Sequence, residues 1–426
     1  MLFRNDKKQK TGIFMPLKQK PTPPLSQENF YNQLTKYRHR FSEMEPELEV
    51  TVRDPSMEVE GYVVVWNTGI AEDGPLGACG KGGTRVLPDL EIKDIKRLAR
   101  AMAEKNAAAG LPLGGAKSGL KCDSKDPDYE KKYKRFVELC KPFLRENGGV
   151  FGGFGYDVGC LPPKNAHWAV EQLGSGKSFT GKPVEMGGTD YDREGIAGLG
   201  VAVAGRTLLK ENGEKVEGAS FAIQGLGAMG AAVLRYFSGY GAVLKTLSDP
   251  KYGGTWHFEN GVSDELLNAL IVQDLQSVKK RLHKEGRFIS EDASQALYSD
   301  VDILFPCALE DSITEENVNF IEARFIAEGA NNPTTEEAHR ILYGKNILVV
   351  PDILANPGGI IAAYVEMTSS VSDEENAETG KKVSEAKLIT EQRVEENVKT
   401  LLSIMKEVDV SPDQVGDYMS YQRLFV

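Results

Sequence analysis

The sequence predicts an α/β protein with two domains and a mostly helical C-terminal segment. The chain has 426 residues, which is long for one domain and sufficient for two that each bury a core. Short apolar segments typical of strands alternate with amphipathic segments typical of helices. A glycine-rich segment at 225–230 lies between a predicted strand and a predicted helix, which is typical of a βαβ unit.

The first half of the chain predicts helices separated by a strand and by glycine-rich turns. Apolar residues recur at helical spacing in four segments, 28–48, 90–109, 129–145 and 163–174. The apolar run YVVVW at 62–66 predicts a buried strand. The glycine-rich segments 110–119 and 148–155 predict a turn and a loop.

The second half predicts a parallel sheet that follows a hinge. The segment 181–195 is rich in glycine and charge and lacks periodicity, so it predicts the hinge. A helix is predicted at 196–211. After it, a strand at 219–224, a helix to about Tyr240 and a strand at 242–247 predict a βαβ unit. Further short strands are predicted at 301–305, 325–327 and 347–350. Residues 358–426 predict mostly helix, with 372–387 as a solvated helix face or loop.

Composition disfavours several classes of function. The net charge of −11 argues against a dedicated nucleic-acid binder, and no apolar run is long enough to span a membrane. Residues 1–25 predict a loosely ordered basic tail, with a transit peptide as the less favoured alternative. Five cysteines without metal-ligand spacing predict free thiols in a reducing compartment, the cytoplasm. The five histidines include no pair at i, i+4 spacing, so we expect no metal site.

The segment GLGAMG predicts a site for a dinucleotide. Gly225 permits the tight turn, Gly227 lets the pyrophosphate approach the backbone, and Gly230 allows the helix to pack closely on the strand. Asp249 follows the second strand, where a carboxylate accepts the ribose hydroxyls and favours NAD over NADP. Lys251 lies two residues on and leaves NADP open. The alternative is a glycine-rich turn in an unrelated α/β fold, with Asp249 capping a turn.

Three lysines close to glycine-rich backbone predict an anionic small-molecule substrate. Lys81 opens KGGTR, whereas Lys105 and Lys117 flank the turn in KNAAAGLPLGGAK. Oxidative deamination of an amino acid needs a group that holds the carboxylate and groups that exchange protons with amine and water, and lysines suit both tasks. A hydroxy-acid dehydrogenase instead needs a histidine in its site, and no histidine here lies in a comparable glycine-rich segment.

From about residue 58 to 370 the chain resembles the glutamate/leucine/phenylalanine/valine dehydrogenase family. The resemblance rests on separated motifs in matching order: KGGTR, KNAAAGLPLGGAK, YDVG, TGKP, GLGAMG, PCALE, AEGANNPTT and PDILANPGG. It implies that Lys117 is the catalytic lysine and Asp157 the proton-shuttling carboxylate. Lys105 would bind the α-carboxylate, and Lys81 the side-chain carboxylate, as in the glutamate-specific branch. Asn331 and Asn356 would line the nicotinamide side of the cleft.

The resemblance also implies an overall organisation and a reaction. Residues 26–190, joined by the returning helices of 358–426, would form the substrate-binding and oligomerisation domain, and 191–357 the Rossmann dinucleotide domain. The reaction would be reversible oxidative deamination of an L-amino acid, foremost L-glutamate, to a 2-oxo acid and ammonia. The expected partners are these small molecules and further copies of the chain, in a homo-oligomer such as the hexamers common in the family, with no nucleic acid or membrane.

Two departures from the family pattern leave the substrate open. Ala363 stands where the glutamate branch has a serine that holds the distal carboxylate, and Ala197 stands where a threonine usually faces the nicotinamide. A buried Lys81 without a substrate carboxylate would be costly, which favours an acidic substrate. The alternatives are a dehydrogenase for a branched or aromatic amino acid, and a catalytically silent regulatory subunit.

Overall fold

The structure is a computed structural model that describes residues 26–69 and 76–425. The predicted basic tail at 1–25 lies outside the described residues. Fourteen strands are present in the described part of the chain: β1 Leu48–Asp54, β2 Val59–Val65, β3 Gly80–Lys81, β4 Thr84–Leu87, β5 Gly114–Lys121, β6 Phe154–Gly155, β7 Phe179–Thr180, β8 Ser220–Gln224, β9 Val243–Asp249, β10 Gly254–His257, β11 Arg287–Ser290, β12 Ile303–Pro306, β13 Phe325–Ala327 and β14 Leu348–Val350.

Fourteen α-helices accompany these strands within the same ranges. They are α1 Gln27–Ser42, α2 Ile92–Ala108, α3 Tyr129–Cys140, α4 Lys164–Leu173, α5 Ile196–Glu211, α6 Ala228–Gly239, α7 Asp264–Ile271, α8 Leu275–Glu285, α9 Glu336–Gly344, α10 Asp352–Ala355, α11 Gly358–Thr368, α12 Asp373–Thr379, α13 Lys381–Val408 and α14 Pro412–Phe425. The predicted α/β class is therefore confirmed.

The first sheet has five strands and carries the lysine-rich segments. Its order is β1-β2-β5-β3, and β4 also pairs with β5. β5 runs antiparallel to β2 and parallel to β3 and β4. Helix α2 packs against β5 because Gly115 has no side chain, since a Cβ there would lie 2.2 Å from the nitrogen of Ala103. Lys105 on α2 and Lys117 on β5 are thereby brought to one end of this layer.

The second sheet has seven strands in the order β11-β10-β9-β8-β12-β13-β14. Strands β9, β8, β12, β13 and β14 are parallel, whereas β10 and β11 form an antiparallel extension. Helix α5 is buried along most of its length and packs on α6, where a Cβ on Gly198 would lie 2.5 Å from the Cβ of Ala232. This is the doubly wound arrangement expected of a Rossmann domain.

The C-terminal helices return to the first part of the chain. The side chain of Asn397 on α13 donates to the carbonyl oxygen of Ala108 at 3.1 Å, and Arg423 on α14 donates to the same oxygen. Tyr421 donates to Glu104 on α2 at 2.8 Å. The predicted return of these helices is thus confirmed.

Four local predictions need correction. The helix predicted at 28–48 ends at Ser42, because 48–54 pairs as β1 with β2. The helix predicted at 129–145 ends at Cys140, where Pro142 cannot continue the hydrogen-bonding pattern. The turn predicted at 110–119 is largely strand β5, since its glycines permit close packing inside the sheet.

The fourth correction concerns 372–387, which is helical but only partly solvated. Asn376 is fully buried and donates to the carbonyl oxygen of Gly188 at 2.7 Å. Lys382 is 4% exposed and donates to the carbonyl oxygen of Gly187 at 3.0 Å. These buried contacts with the predicted hinge were not expected because the charged residues of 372–387 indicated a solvated segment. Across 26–69 and 76–425, no helix is long and apolar enough to cross a membrane, and no group of three or more potential ligands is arranged to hold a metal ion.

Candidate active site

A cavity of about 220 Å³ collects most of the residues predicted to be catalytic or substrate-binding. Its lining includes all three lysines together with Asn356, Ala197 and Ala363. Apolar contributions come from Met102, Leu113 and Ile360. Residues distant in sequence therefore surround one volume, and its lining combines three lysine side chains with several apolar groups.

Lys117 and Asp157 form an ion pair beside this cavity. Their Nζ and Oδ2 atoms are 2.7 Å apart, and the two side chains are 9% and 17% exposed. Burial alone would raise the pKa of Asp157, but the adjacent Lys117 and Arg85 cations lower that pKa below its ordinary value. An ionised carboxylate is consequently held in contact with the lysine ammonium.

Lys105 connects the first part of the chain to the segments that follow β13 and β14. Its Nζ donates to Oδ1 of Asn331 at 2.5 Å and to Oδ1 of Asn356 at 3.4 Å, and it lies 4.0 Å from Oδ2 of Asp352. Burial lowers the pKa of Lys105, an effect that the Asp352 carboxylate opposes. The two predicted asparagines thus lie directly against the predicted carboxylate-binding lysine.

Lys81 lies at another part of the cavity and is 4% exposed. Its Nζ donates to the carbonyl oxygens of Gly82, Gly153 and Phe154 at 2.9, 3.1 and 2.8 Å. Among the described residues no carboxylate forms an ion pair with it, and burial lowers the pKa of Lys81 to about 7. Main-chain carbonyl groups therefore hold this ammonium, and the Glu366 carboxylate favours its charge only from beyond ion-pair distance.

Two contributors were not predicted as site residues. Arg85, the last residue of KGGTR, donates from Nε to Oδ2 of Asp157 at 3.1 Å. Glu366 has a fully buried side chain that accepts from the backbone nitrogens of Gly181 and Thr189 and from Nζ of Lys182. The sequence contains an indication of each. Arg85 is part of the KGGTR motif, and Glu366 lies three residues after Ala363 on the same helix.

The glycine-rich turn has the shape required to hold a dinucleotide. Gly225 has a φ of 85°, and Gly227 has open space where a Cβ would project. A Cβ on Gly230 would lie 1.9 Å from the carbonyl oxygen of Gly225. Asp249 ends β9, and its Oδ2 accepts from the backbone nitrogen of Leu226 at 2.7 Å. These features fit a pyrophosphate above Gly227 and a ribose beside Asp249.

Family models match two long parts of the chain. One, described as Glutamate/Leucine/Phenylalanine/Valine dehydrogenase, matches 187–419, and one described as Glu/Leu/Phe/Val dehydrogenase, dimerisation domain, matches 46–159. The first alone covers more than half of the sequence. The chain belongs to the Glu/Leu/Phe/Val dehydrogenase family.

Individual relatives agree with this assignment. The NADP(+)-dependent glutamate dehydrogenase of Pyrobaculum calidifontis is 34% identical over 355 residues, covering 81% of this chain and 80% of the relative. The NAD-specific glutamate dehydrogenase of Staphylococcus aureus is 31% identical, covering 76% of this chain and 77% of the relative. The crystal structure of glutamate dehydrogenase from Peptoniphilus asaccharolyticus shares the fold, with a TM-score of 0.71, 24% identity and coverage of 95% and 98%.

In a member of the Glu/Leu/Phe/Val dehydrogenase family, the close contact at Gly230 provides a test of dinucleotide binding at the glycine-rich turn. We expect Gly230→Ala to weaken NADH binding at least about tenfold, because the new methyl group must displace the Gly225 carbonyl that shapes the turn. Fluorescence titration with NADH measures the effect. Gly239→Ala is the matched control, since Gly239 ends the same helix and has nothing within 4 Å of its Cβ position. Equal affinities for the two variants would contradict the assigned role of the turn.

Proposed function

We propose that the chain catalyses the reversible oxidative deamination of L-glutamate to 2-oxoglutarate and ammonia with NAD, or NADP, as coenzyme. The observation that carries the proposal is the Lys117–Asp157 pair at a cavity that also presents Lys81 and Lys105. The relatives from Pyrobaculum and Staphylococcus, both named glutamate dehydrogenases, support the same reaction.

The roles of the residues follow from the chemistry of the reaction. Lys105 binds the α-carboxylate, since its ammonium reaches the cavity and its hydrogen bonds in the described residues go to neutral amide oxygens. The Asp352 carboxylate lies 4.0 Å away, beyond hydrogen-bond distance. Asp157 accepts a proton from the substrate ammonium, because only a neutral amine can become an imine. Lys117 then assists the attack of water on that imine and passes protons to and from Asp157 at 2.7 Å. A bound nicotinamide would supply the acceptor for the hydride that leaves Cα.

Lys81 makes an acidic side chain the preferred substrate group. An ammonium that is 4% exposed and held only by carbonyl oxygens is poorly compensated for its lost hydration. The distal carboxylate of glutamate supplies the missing counter-charge. Binding then requires that at least one N–H group of Lys81 exchanges its carbonyl acceptor for the distal carboxylate of the substrate.

The pH dependence of specificity tests this role. Because the pKa of Lys81 is about 7, the free enzyme carries the ammonium below pH 7 and loses it above. We expect kcat/KM for 2-oxoglutarate, divided by kcat/KM for 4-methyl-2-oxopentanoate, to fall about tenfold per pH unit above 7. The ratio cancels titrations common to both substrates. A ratio that stays constant from pH 6 to 9 would contradict the assignment.

Ala363 is expected to limit the affinity for glutamate. We expect Ala363→Ser to raise kcat/KM for 2-oxoglutarate by about tenfold, since a hydroxyl at the cavity wall adds a hydrogen bond to a charged group. Steady-state kinetics with 2-oxoglutarate and 4-methyl-2-oxopentanoate measure the change. An equal gain with both acids would show that the hydroxyl does not contact the distal carboxylate.

A second candidate is a dehydrogenase for a branched or aromatic amino acid. Met102, Leu113, Ile360 and Ala363 make much of the cavity wall apolar. Three carbonyl oxygens already accept hydrogen bonds from Nζ of Lys81. An apolar side chain would pack on this wall and leave those hydrogen bonds in place.

We further propose the domain boundaries and the assembly. Residues 26–190 with 358–426 form the substrate domain, and 191–357 form the dinucleotide domain. The match of 46–159 to a dimerisation-domain model supports a homo-oligomer, and the hexameric form is the one that the family resemblance implies. The five free cysteines favour a reducing compartment, the cytoplasm. The presence of Lys105, Lys117 and Asp157 disfavours a silent regulatory subunit.

The proposed reaction is tested in the direction of deamination. Purified protein is incubated with L-glutamate and NAD or NADP, and 2-oxoglutarate and ammonia are quantified. We expect one of each for every coenzyme reduced. Coenzyme reduction only with leucine, valine or phenylalanine would favour the second candidate.

A further inference from the structure

The distal carboxylate of glutamate needs more hydrogen-bond donors than Lys81 alone can give. A carboxylate has two oxygens with about four lone-pair sites. The N–H groups of Lys81 already donate to the carbonyl oxygens of Gly82, Gly153 and Phe154, so only a group that exchanges its acceptor reaches the substrate. A carboxylate oxygen without a donor would be costly beside a largely apolar wall. A second donor at the Lys81 end of the cavity would remove that cost.

One neutral side-chain donor on the cavity lining is uncommitted in the described part of the chain. Asn106, Thr180 and Asn356 each donate to main-chain carbonyl oxygens. The hydroxyl of Tyr156 has no partner but is enclosed by protein atoms. Tyr191 remains: it lines the same cavity, it is partly buried, and its hydroxyl forms no hydrogen bond with a described residue.

The hydroxyl of Tyr191 lies at the end of the cavity that holds Lys81. A Cβ on Gly181 would lie 2.8 Å from the hydroxyl oxygen, so the tip of the tyrosine ring packs on this glycine. Thr180, the preceding residue, and Lys81 donate to the same acceptor, the carbonyl oxygen of Phe154. Strands β6 and β7, which pair in parallel, therefore bring the ammonium and the hydroxyl to neighbouring positions.

Glu366 fixes the segment that carries Tyr191. Its carboxylate accepts from the backbone nitrogen of Gly181 at 3.1 Å and from that of Thr189 at 2.8 Å. Glu366 lies one helical turn after Ala363 on α11, and Ala363 also lines the cavity. The tyrosine is thus held beside the helix that offers the cavity only a methyl group at residue 363.

We infer that the hydroxyl of Tyr191 donates a hydrogen bond to the distal carboxylate of the substrate and so determines, together with Lys81, the preference for an acidic side chain. Burial, and after it the Asp192 and Glu366 carboxylates, raise the pKa of Tyr191 well above its ordinary value, so the hydroxyl keeps its proton. A neutral donor then complements the Lys81 ammonium without a second charge to desolvate. The inference rests on the proposed function, because it requires the proposed position of the distal carboxylate.

Replacing Tyr191 with phenylalanine tests the inference, because it removes the hydroxyl and keeps the ring. We expect kcat/KM for 2-oxoglutarate to fall about tenfold, mainly through a higher KM, since one hydrogen bond to a charged group is lost. We expect kcat/KM for 4-methyl-2-oxopentanoate, which has no distal carboxylate, to stay within about twofold. Reductive amination by the full chain at pH 6, where Lys81 carries its charge, measures both constants.

Further variants separate the hydroxyl from the fold. Tyr240→Phe is the matched control, since the hydroxyl of Tyr240 also has no hydrogen-bond partner among the described residues but lies at the end of α6. We expect it to leave both constants within about twofold. Adding Ala363→Ser to Tyr191→Phe is expected to recover most of the lost kcat/KM for 2-oxoglutarate, because it returns a hydroxyl to the cavity wall. Thermal unfolding of each variant shows that the fold is kept.

The outcomes distinguish this inference from the proposed function. Equal losses with both acids in Tyr191→Phe would place the hydroxyl at the end that the two acids share and would overturn the inference. If the wild type does not aminate 2-oxoglutarate, the proposed function fails and the inference fails with it. A wild type that prefers 2-oxoglutarate, with the same preference kept in Tyr191→Phe, overturns the inference alone.

Discussion

Replacing Lys117 with alanine is expected to lower kcat for glutamate at least about a thousandfold, while NADH binding stays within twofold. The variant removes the ammonium that lies 2.7 Å from Asp157 and leaves that carboxylate with Arg85 as its remaining cation partner among the described residues. Proton transfer and the attack of water then both lose their positioned group. Steady-state kinetics and a fluorescence titration with NADH measure the two quantities.

Lys121→Ala is the matched control for this experiment. Lys121 ends the same strand but is exposed, so we expect its loss to change kcat by less than twofold. Thermal unfolding of both variants shows whether the fold is kept. Substantial turnover by folded Lys117→Ala would mean that another group performs the chemistry.

Replacing Lys81 with methionine is expected to lower kcat/KM for 2-oxoglutarate by about 10- to 100-fold, because a charge-assisted hydrogen bond to the distal carboxylate is lost. The same variant is expected to use 4-methyl-2-oxopentanoate better than the wild type, since the cavity wall loses a charged group at that position. Kinetics with both acids measure the exchange of specificity.

Stability provides a second measurement on Lys81→Met. The folded state lowers the pKa of Lys81 to about 7, so folding opposes its protonation and the charge costs stability at every pH below its unfolded pKa. We therefore expect the unfolding temperature at pH 6 to stay the same or rise. Unchanged kinetics with 2-oxoglutarate would show that Lys81 serves the fold alone and would favour the second candidate.

Much of the fold could be predicted because its long helices and parallel strands have clear periodicity. Helix α5 was predicted with its observed limits, whereas β9 runs to Asp249, two residues beyond its predicted end. Strand β1 was not predicted because its buried and exposed residues alternate only weakly. Strand β5 was not predicted because its glycines are typical of a turn. In both cases pairing with β2 decides the outcome, and pairing between distant segments is not encoded locally.

Several residues that line the candidate cavity were named from the sequence, but their contacts were not. Spacing and resemblance identified Lys81, Lys105 and Lys117, yet nothing in the sequence indicated that Lys81 donates to three carbonyl oxygens. Nor did it indicate that Arg85 shares Asp157 with Lys117. Such contacts depend on how β3, β4 and β5 pair, which only the assembled sheet determines.

The central claim is most directly tested by the initial rate of reductive amination. Purified protein is assayed with ammonium, NADH or NADPH, and a panel of acidic, branched and aromatic 2-oxo acids. The account predicts an ammonium-dependent rate that is highest with 2-oxoglutarate. No ammonium-dependent oxidation of either coenzyme with any acid would contradict it and would favour a regulatory subunit.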